Sequence, residues 1–152
     1  MSSKNQQLVL VILLIWALIA SAAASYLYLE NEYLNREISA IGTKYVKVNI
    51  GINYGNGTIA WYNQTLLPKG ATALTALLTV ARVEYKIGTW GAYVTSVNGV
   101  AEKILSNNEG YSWMWYRYAS DKGKLVQGEV AADKYKLTEG ETIVWSYEHW
   151  KF

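Results

Sequence analysis

The chain has 152 residues, and its 14 lysines and arginines against 12 acidic residues leave a net charge of only +2. A charge this small and this evenly spread argues against nucleic acid or a strongly acidic substrate as the partner. The absence of cysteine excludes disulfides, thiolate metal sites and a cysteine nucleophile. The 13 tyrosines and 7 tryptophans beside one phenylalanine suit strands and hydrated interfaces.

The first predicted element is an apolar helix over residues 8–29. This run carries no charge and no proline, and it is long enough to cross a bilayer. Lys4 precedes it and Glu30 and Glu32 follow it, so the positive-inside rule places the rest of the chain outside. We expect a single-pass protein of the cell membrane with its C-terminal domain outside. A cleaved signal peptide, and hence a secreted domain, is the alternative, because the small residues at 20–24 offer cleavage sites.

Apolar residues continue at helical spacing beyond the membrane run. The predicted organisation is a cytoplasmic tip and membrane helix at 1–29, a helical stalk at 30–42 and an extracytoplasmic domain at 43–152. The stalk fits either a simple spacer or a helix that bundles with copies of itself. In the second case, Tyr33 and Ile38 are the candidate self-association residues.

The domain is predicted to open with a β-hairpin and a helix. Residues 44–54 alternate between apolar and polar, a glycine-rich turn around Asn56 follows, and residues 58–67 form the second strand. Residues 71–85 then have the apolar spacing of an amphipathic helix, with Thr72 as its N-cap.

The remainder of the domain is predicted to be rich in strands. Residues 93–97, 111–119 and 142–150 are β-prone and are separated by Asn-Gly, Asp-Lys-Gly and Glu-Gly turns, while residues 125–137 have mixed character. A hairpin, one helix and then several strands indicate the α+β class, with the helix packed on a mixed sheet.

Four segments of the domain occur in a recognisable order: LLPKGATALTALLTVARV, GAYVTSVNGV, EGYSWMWYRY and LTEGETIVWSYE. This series resembles the exported domain family that is related to the C-terminal domain of transcobalamin and intrinsic factor. The chain looks like a membrane-anchored microbial member of that family. The resemblance implies a β-grasp-like fold and a binding style of function, and most microbial members have no known function. Glu141 stands where members carry aspartate, and the turn at 119–123 lacks their Asn-Gly, so ligand contacts are not carried over.

The aromatic strands hold the best candidate binding site. Because side chains alternate along a strand, Trp113, Trp115 and Arg117 share one face, as do Trp145 and Tyr147 on the last strand. Two interpretations remain open. These residues are either the core of a small domain or a platform that stacks on a ring, a sugar or an apolar surface of a partner, with Arg117 adding cation–π or anion contacts.

Other chemistry is weakly represented in the sequence. Asn56 and Asn63 lie in N-glycosylation sequons, which agrees with an exterior domain. His149 is the single histidine, and neither a calcium-loop spacing, a phosphate loop nor a nucleophile elbow is present. We therefore expect no catalytic residue, no metal site and no enzyme activity; a corrinoid enters only through the family resemblance.

The sequence predicts a membrane-anchored extracytoplasmic binding module without catalysis. One alternative is a structural subunit of a surface filament or lattice, assembled through the N-terminal helix. Another is a corrinoid- or small-cofactor-capture module associated with a transporter. The expected partners are the membrane and another surface protein, a transporter subunit or copies of the chain itself, but not nucleic acid.

Overall fold

The computed structural model describes residues 3–152, in a first unit that ends at Thr43 and a second over Lys44–Phe152. The first unit is built on helix α1, Ser3–Lys44. No residue in the most apolar 18-residue window of α1 is buried. Among the described residues, α1 is the one helix long and apolar enough to cross a membrane. The helix passes through Gly42, the last residue of the predicted stalk, because a single glycine costs a helix only about 1 kcal/mol.

The second unit is an α+β domain, which confirms the predicted class. Its elements are β1 Tyr45–Asn53, β2 Ile59–Pro68, α2 Ala73–Val80, β3 Val83–Gly88, β4 Gly91–Val97, β5 Val100–Ala101, β6 Lys103–Ser106, β7 Glu109–Ala119, β8 Lys124–Gln127 and β9 Thr142–Lys151. A six-stranded sheet has the order β2-β1-β9-β7-β6, with β8 also paired to β7, and β3-β4-β5 form a smaller sheet. The large sheet is mixed, because β1 runs parallel to β9 and its other pairs are antiparallel.

The opening hairpin follows directly from the alternation in the sequence. Val46, Val48, Ile50 and Ile52 are buried on one face of β1. The turn closes where Gly55 adopts a φ of 73° and Asn53 accepts a hydrogen bond from the Gly55 amide at 3.0 Å. A positive φ of this kind is readily reached by glycine.

The predicted helix over residues 71–85 is too long. Thr72 caps α2 as expected, since its Oγ accepts from the Thr75 amide at 3.2 Å, but α2 ends at Val80. The next residues turn extended and form β3, which pairs with β4 over its whole length. The β-branched residue Val83 favours a strand, and the ladder with β4 outweighs the helical spacing of Tyr85.

The core lies where α2 and the inner face of the large sheet meet. The buried face of α2 consists of Ala73, Leu74, Ala76 and Leu77, and it belongs to the same hydrophobic cluster as β1, β7 and β9. Trp145 is the largest fully buried side chain of this cluster. The tryptophan-rich strands are therefore placed against the core, where their indoles cover the inner layer.

Candidate functional site

A cleft of about 150 Å³ opens beside β7 and is the best candidate site. It lies between β4, β7 and the segment that follows β8. We call it the tryptophan cleft. Its lining residues are Ala92, Tyr93, Val94, Trp113, Met114, Trp115, Gln127, Gly128, Ala131, Ala132 and Trp145. Water occupies about 30 Å³ per molecule in the liquid, so the cleft has room for about five water molecules or one small chemical group.

The cleft exists because one edge of β7 is only partly paired. On that edge β6 pairs with residues 109–111 and β8 with residues 116–119, whereas β9 pairs along the opposite edge. Residues 112–115 therefore lie in a gap between two short strands of the described chain. Gly128 enters the gap, and its amide donates to the Trp115 carbonyl at 2.9 Å.

Two glycines allow the walls of the cleft to approach each other. A Cβ on Gly128 would lie 1.9 Å from Cε2 of Trp115. A Cβ on Gly91, whose φ is +127°, would lie 2.5 Å from Oδ1 of Asp133. That same oxygen accepts the Ala92 amide at 2.8 Å, and this hydrogen bond lowers the pKa of Asp133, with Lys134 adding to the effect.

The indole N–H groups of the cleft differ in their hydrogen bonding. Trp113 donates to the Val100 carbonyl at 2.8 Å and Trp115 to the Val130 carbonyl at 3.1 Å. Trp145 is 1% exposed, and its Nε1 is the buried side-chain polar atom within residues 3–152 that has no hydrogen-bond partner. A buried donor without an acceptor costs about 1–3 kcal/mol. Trp145 also lines the tryptophan cleft, so this unpartnered donor belongs to a residue of the candidate site.

The rim of the cleft is polar. The Tyr93 hydroxyl donates to Oε2 of Glu102 at 2.7 Å, and its oxygen lies 3.0 Å from Oγ of Ser112. Burial raises the pKa of Tyr93, and the Glu102 carboxylate raises it further. Tyr93 is therefore a neutral phenol at physiological pH. The cleft as a whole combines aromatic surface with a few polar groups, which are features of binding sites.

The predicted platform tryptophans lie in the core and not on the surface. Trp113, Trp115 and Trp145 are 3%, 8% and 1% exposed. Of the two interpretations left open by the sequence, this burial favours the core for the three tryptophans, because the inner face of the sheet has to cover the core. All three tryptophans line the cleft, and their role in binding stays a prediction.

The other two platform residues lie closer to the surface. Arg117 is half-buried and its Nη2 lies 3.5 Å from Oε1 of Glu129. Tyr147 is half-buried, packs against Trp113 with ring centroids 5.3 Å apart, and donates from its hydroxyl to the Ala101 carbonyl. Trp113 and Tyr147 are thus in ring contact, and Arg117 forms an ion pair with Glu129.

The remaining predicted site residues lie on exposed surfaces. Asn56 occupies the β1–β2 turn, where its Oδ1 accepts from the Thr58 amide at 3.1 Å. Asn63 is exposed on β2 and borders a shallow open groove of about 520 Å³. Tyr33 and Ile38 are 63% and 66% exposed on α1. Glycosylation at the asparagines and self-association at the helix residues stay predictions.

The single histidine, His149, lies on the face of β9 opposite to Ser146, the serine three residues before it. His149 lies 2.9 Å from Glu109 and packs on Tyr111 on one face of β9, while Ser146 accepts from Asn53 on the opposite face. Within residues 3–152 no group of three or more histidine, cysteine or acidic side chains is placed to hold a metal ion.

Sequence reasoning missed several cleft residues, namely Tyr93, Gln127, Gly128, Ala131 and Ala132. They fall in a segment of mixed character and in a short strand, and none carries reactive chemistry. The signal in the sequence is the run GEVAAD, residues 128–133, because small residues in a loop beside a tryptophan strand mark a close approach.

Comparison with known proteins places the domain in a family. The profile of the family described as domain of unknown function DUF4430 matches residues 70–149. No curated protein matches the chain by sequence. A crystal structure of haptocorrin in complex with Cbi aligns with a TM-score of 0.51 and 17% identity over 68% of this chain, which spans only 25% of haptocorrin.

A second structure, of a protein from Ruminococcus gnavus ATCC 29149 described as a candidate metal-binding protein, has a TM-score of 0.47 and 15% identity over 68% of this chain and 96% of its own. The haptocorrin alignment supports the resemblance to transcobalamin-like folds, and at this identity it concerns the fold alone. Since the family profile covers more than half of the chain, the chain belongs to the DUF4430 family of domains of unknown function.

Proposed function

We propose that this chain is a single-pass membrane protein that displays a non-catalytic binding domain on the outer side of the membrane. The observation that carries the proposal is the complete exposure of the apolar window of α1. A helix that is apolar all round and has no protein cover is stable in a bilayer, where its apolar side chains face lipid and its backbone is bonded internally. Lys4 on one side and Glu30 and Glu32 on the other support the outward orientation.

The tryptophan cleft supports the binding half of the proposal. It combines aromatic walls, a buried donor on Trp145 that lacks an acceptor and a polar rim at Tyr93. We propose that it receives one small acceptor-bearing group of a larger ligand. The β-grasp-like assignment belongs to the same proposal, supported by α2 packing in the core and by the parallel pairing of β1 with β9.

The orientation is testable because the chain has no cysteine of its own. Single variants Ser3→Cys and Asn56→Cys are expressed in intact cells and treated with a maleimide reagent that does not cross membranes. We expect Asn56→Cys to be labelled in intact cells and Ser3→Cys only after the cells are permeabilised. Labelling of Ser3→Cys alone in intact cells would reverse the topology, and labelling of neither would place the domain inside.

A corrinoid is the ligand class to test first, because the fold resembles that of haptocorrin, which was solved with Cbi. The full-length protein in detergent is titrated with cobalamin up to millimolar concentration, and the absorbance spectrum is followed. Saturable spectral shifts that weaken in Trp145→Phe, which removes the indole donor, and persist in Trp61→Phe on the open outer groove would support the corrinoid alternative. An unchanged spectrum at millimolar cobalamin would exclude a corrinoid and leave the membrane proposal intact.

A further inference from the structure

Strand β3 presents an unpaired edge. Within residues 3–152 it pairs only with β4 in the small sheet, and residues 84–88 are exposed. The Arg82 carbonyl accepts the Asn98 amide at 2.8 Å on the β4 side. Because main-chain groups alternate in direction along a strand, the N–H and C=O groups of Val83, Tyr85 and Ile87 point away from β4. They form a row of donors and acceptors on the open edge.

The edge of β3 lacks the features that protect the other long edge strand, β2. The register of β2 shifts opposite Val48 and Ile50, its Gln64 adopts a φ of 54°, and it ends at Pro68. Bulges and prolines of this kind block strand addition. In the β3–β4 ladder the shift skips Thr95 of β4, so β3 itself stays regular along its exposed edge.

The sequence of β3 is complementary to itself when it is read in the opposite direction. In Val83-Glu84-Tyr85-Lys86-Ile87, an antiparallel pair centred on Tyr85 sets Glu84 of one copy opposite Lys86 of the other, and the reverse. The same register sets Val83 opposite Ile87 on the other face. A parallel in-register pair would instead set like charges side by side, which is unfavourable.

We propose that two copies of this chain associate through antiparallel pairing of their β3 strands, joining the two small sheets into one six-stranded sheet. The two-fold axis passes between the two Tyr85 residues, as a closed dimer requires. About six main-chain hydrogen bonds form between the outward-pointing groups of residues 83, 85 and 87. The apolar side chains of Tyr85 and Ile87, 43% and 69% exposed in a single copy, gain cover from the partner.

The first test is site-specific crosslinking of the full-length chain in detergent micelles under mild oxidation. In the proposed register the two Tyr85 Cα atoms lie about 5.5 Å apart, within disulfide range. We expect Tyr85→Cys to form a disulfide-linked dimer. The control, Ile59→Cys, has the same 43% exposure on β2 and is expected to remain monomeric. Equal crosslinking of the two variants, or none with Tyr85→Cys, would overturn the proposal.

The second test uses the charges and separates loss of pairing from loss of folding. In the Tyr85→Cys background, Lys86→Glu sets acidic side chains opposite each other and is expected to lower the crosslinked fraction about tenfold, which corresponds to 1.4 kcal/mol. Adding Glu84→Lys to it restores opposite charges with the positions exchanged and is expected to restore crosslinking. A low yield in both variants, or a high yield in both, would contradict the β3 register.

Discussion

Helix α1 and the domain over Lys44–Phe152 place the same residue types in opposite surroundings. Leu14 and Leu18 are 64% and 71% exposed on α1, whereas Ile50 and Leu77 of the domain are fully buried. The domain covers its aliphatic residues with its own sheet and helix. The apolar window of α1 has no such cover, and under the proposed membrane anchoring a bilayer would supply it. The domain therefore buries its aliphatic residues within its own fold, whereas α1 leaves them exposed.

The largest expected effect concerns the membrane side of this comparison. Leu14→Arg together with Leu18→Arg places two charges in the apolar run, each costing about 2.5–3.5 kcal/mol at a membrane centre. We expect the full-length variant to lose most of its association with lipid vesicles in a flotation assay. Ile104→Arg with Leu105→Arg, on exposed β6, is the matched control and should float like the parent. Equal flotation of both double variants would contradict the proposal that the apolar run of α1 binds the membrane.

The next effect concerns the core of the domain. Ile50 is 0% exposed, so Ile50→Ala leaves a cavity and should lower the free energy of unfolding by about 2–5 kcal/mol. Ile104 is 59% exposed, and Ile104→Ala should change it by no more than about 0.5 kcal/mol. Denaturant titrations of the full-length chain in detergent measure both. Similar losses from the two variants would show that the burial contrast does not govern stability.

A smaller effect is expected at the tryptophan cleft. Gly128→Ala introduces a methyl group where only 1.9 Å separates it from Trp115, so we expect a loss of about 1–3 kcal/mol in unfolding free energy. Gly88→Ala meets no atom closer than 3.9 Å and serves as the control, with little change expected. Tryptophan fluorescence during thermal unfolding measures both. A fully stable Gly128→Ala variant would mean that the cleft wall yields easily.

The smallest effect is a pH dependence at Asp133. The Ala92 amide holds the pKa of this carboxyl below its usual 3.8, so the ionised form stabilises the fold. The contribution is complete above the unfolded pKa and is lost as the pH falls through the lower, folded value. We expect Asp133→Asn to lower the free energy of unfolding by about 1 kcal/mol at pH 7. The difference between variant and parent should disappear as the pH falls below 3.8. If the difference in unfolding free energy between parent and variant stayed constant on acidification, the loss would come from packing and not from the charge of Asp133.

Local patterns made some elements predictable. The alternation of Val46, Val48, Ile50 and Ile52 predicts β1 and its buried face, and the Thr72 hydroxyl predicts the start of α2. The end of α2 was not predictable in the same way. Tyr85 fits helical spacing, but the chain gains a full ladder between β3 and β4, which is an interaction between distant residues.

The tryptophan cleft depends still more on distant contacts. The tryptophans on β7 and β9 were identified from the sequence, but their burial depends on which sheet face meets α2. The cleft itself arises because β6 and β8 are short and, within the described chain, leave residues 112–115 without a strand partner at one edge. Neither strand length is encoded near those residues, so Trp145 could be named from the sequence while its unpartnered N–H could not.

The most direct test of the account is alkaline carbonate extraction of membranes that contain the full-length protein, with intact mass measured on the same sample. We predict that the protein stays in the membrane fraction and that its mass still includes the N-terminal apolar segment. Release into the soluble fraction, or a mass shortened by the N-terminal apolar segment, would contradict a membrane-anchored domain.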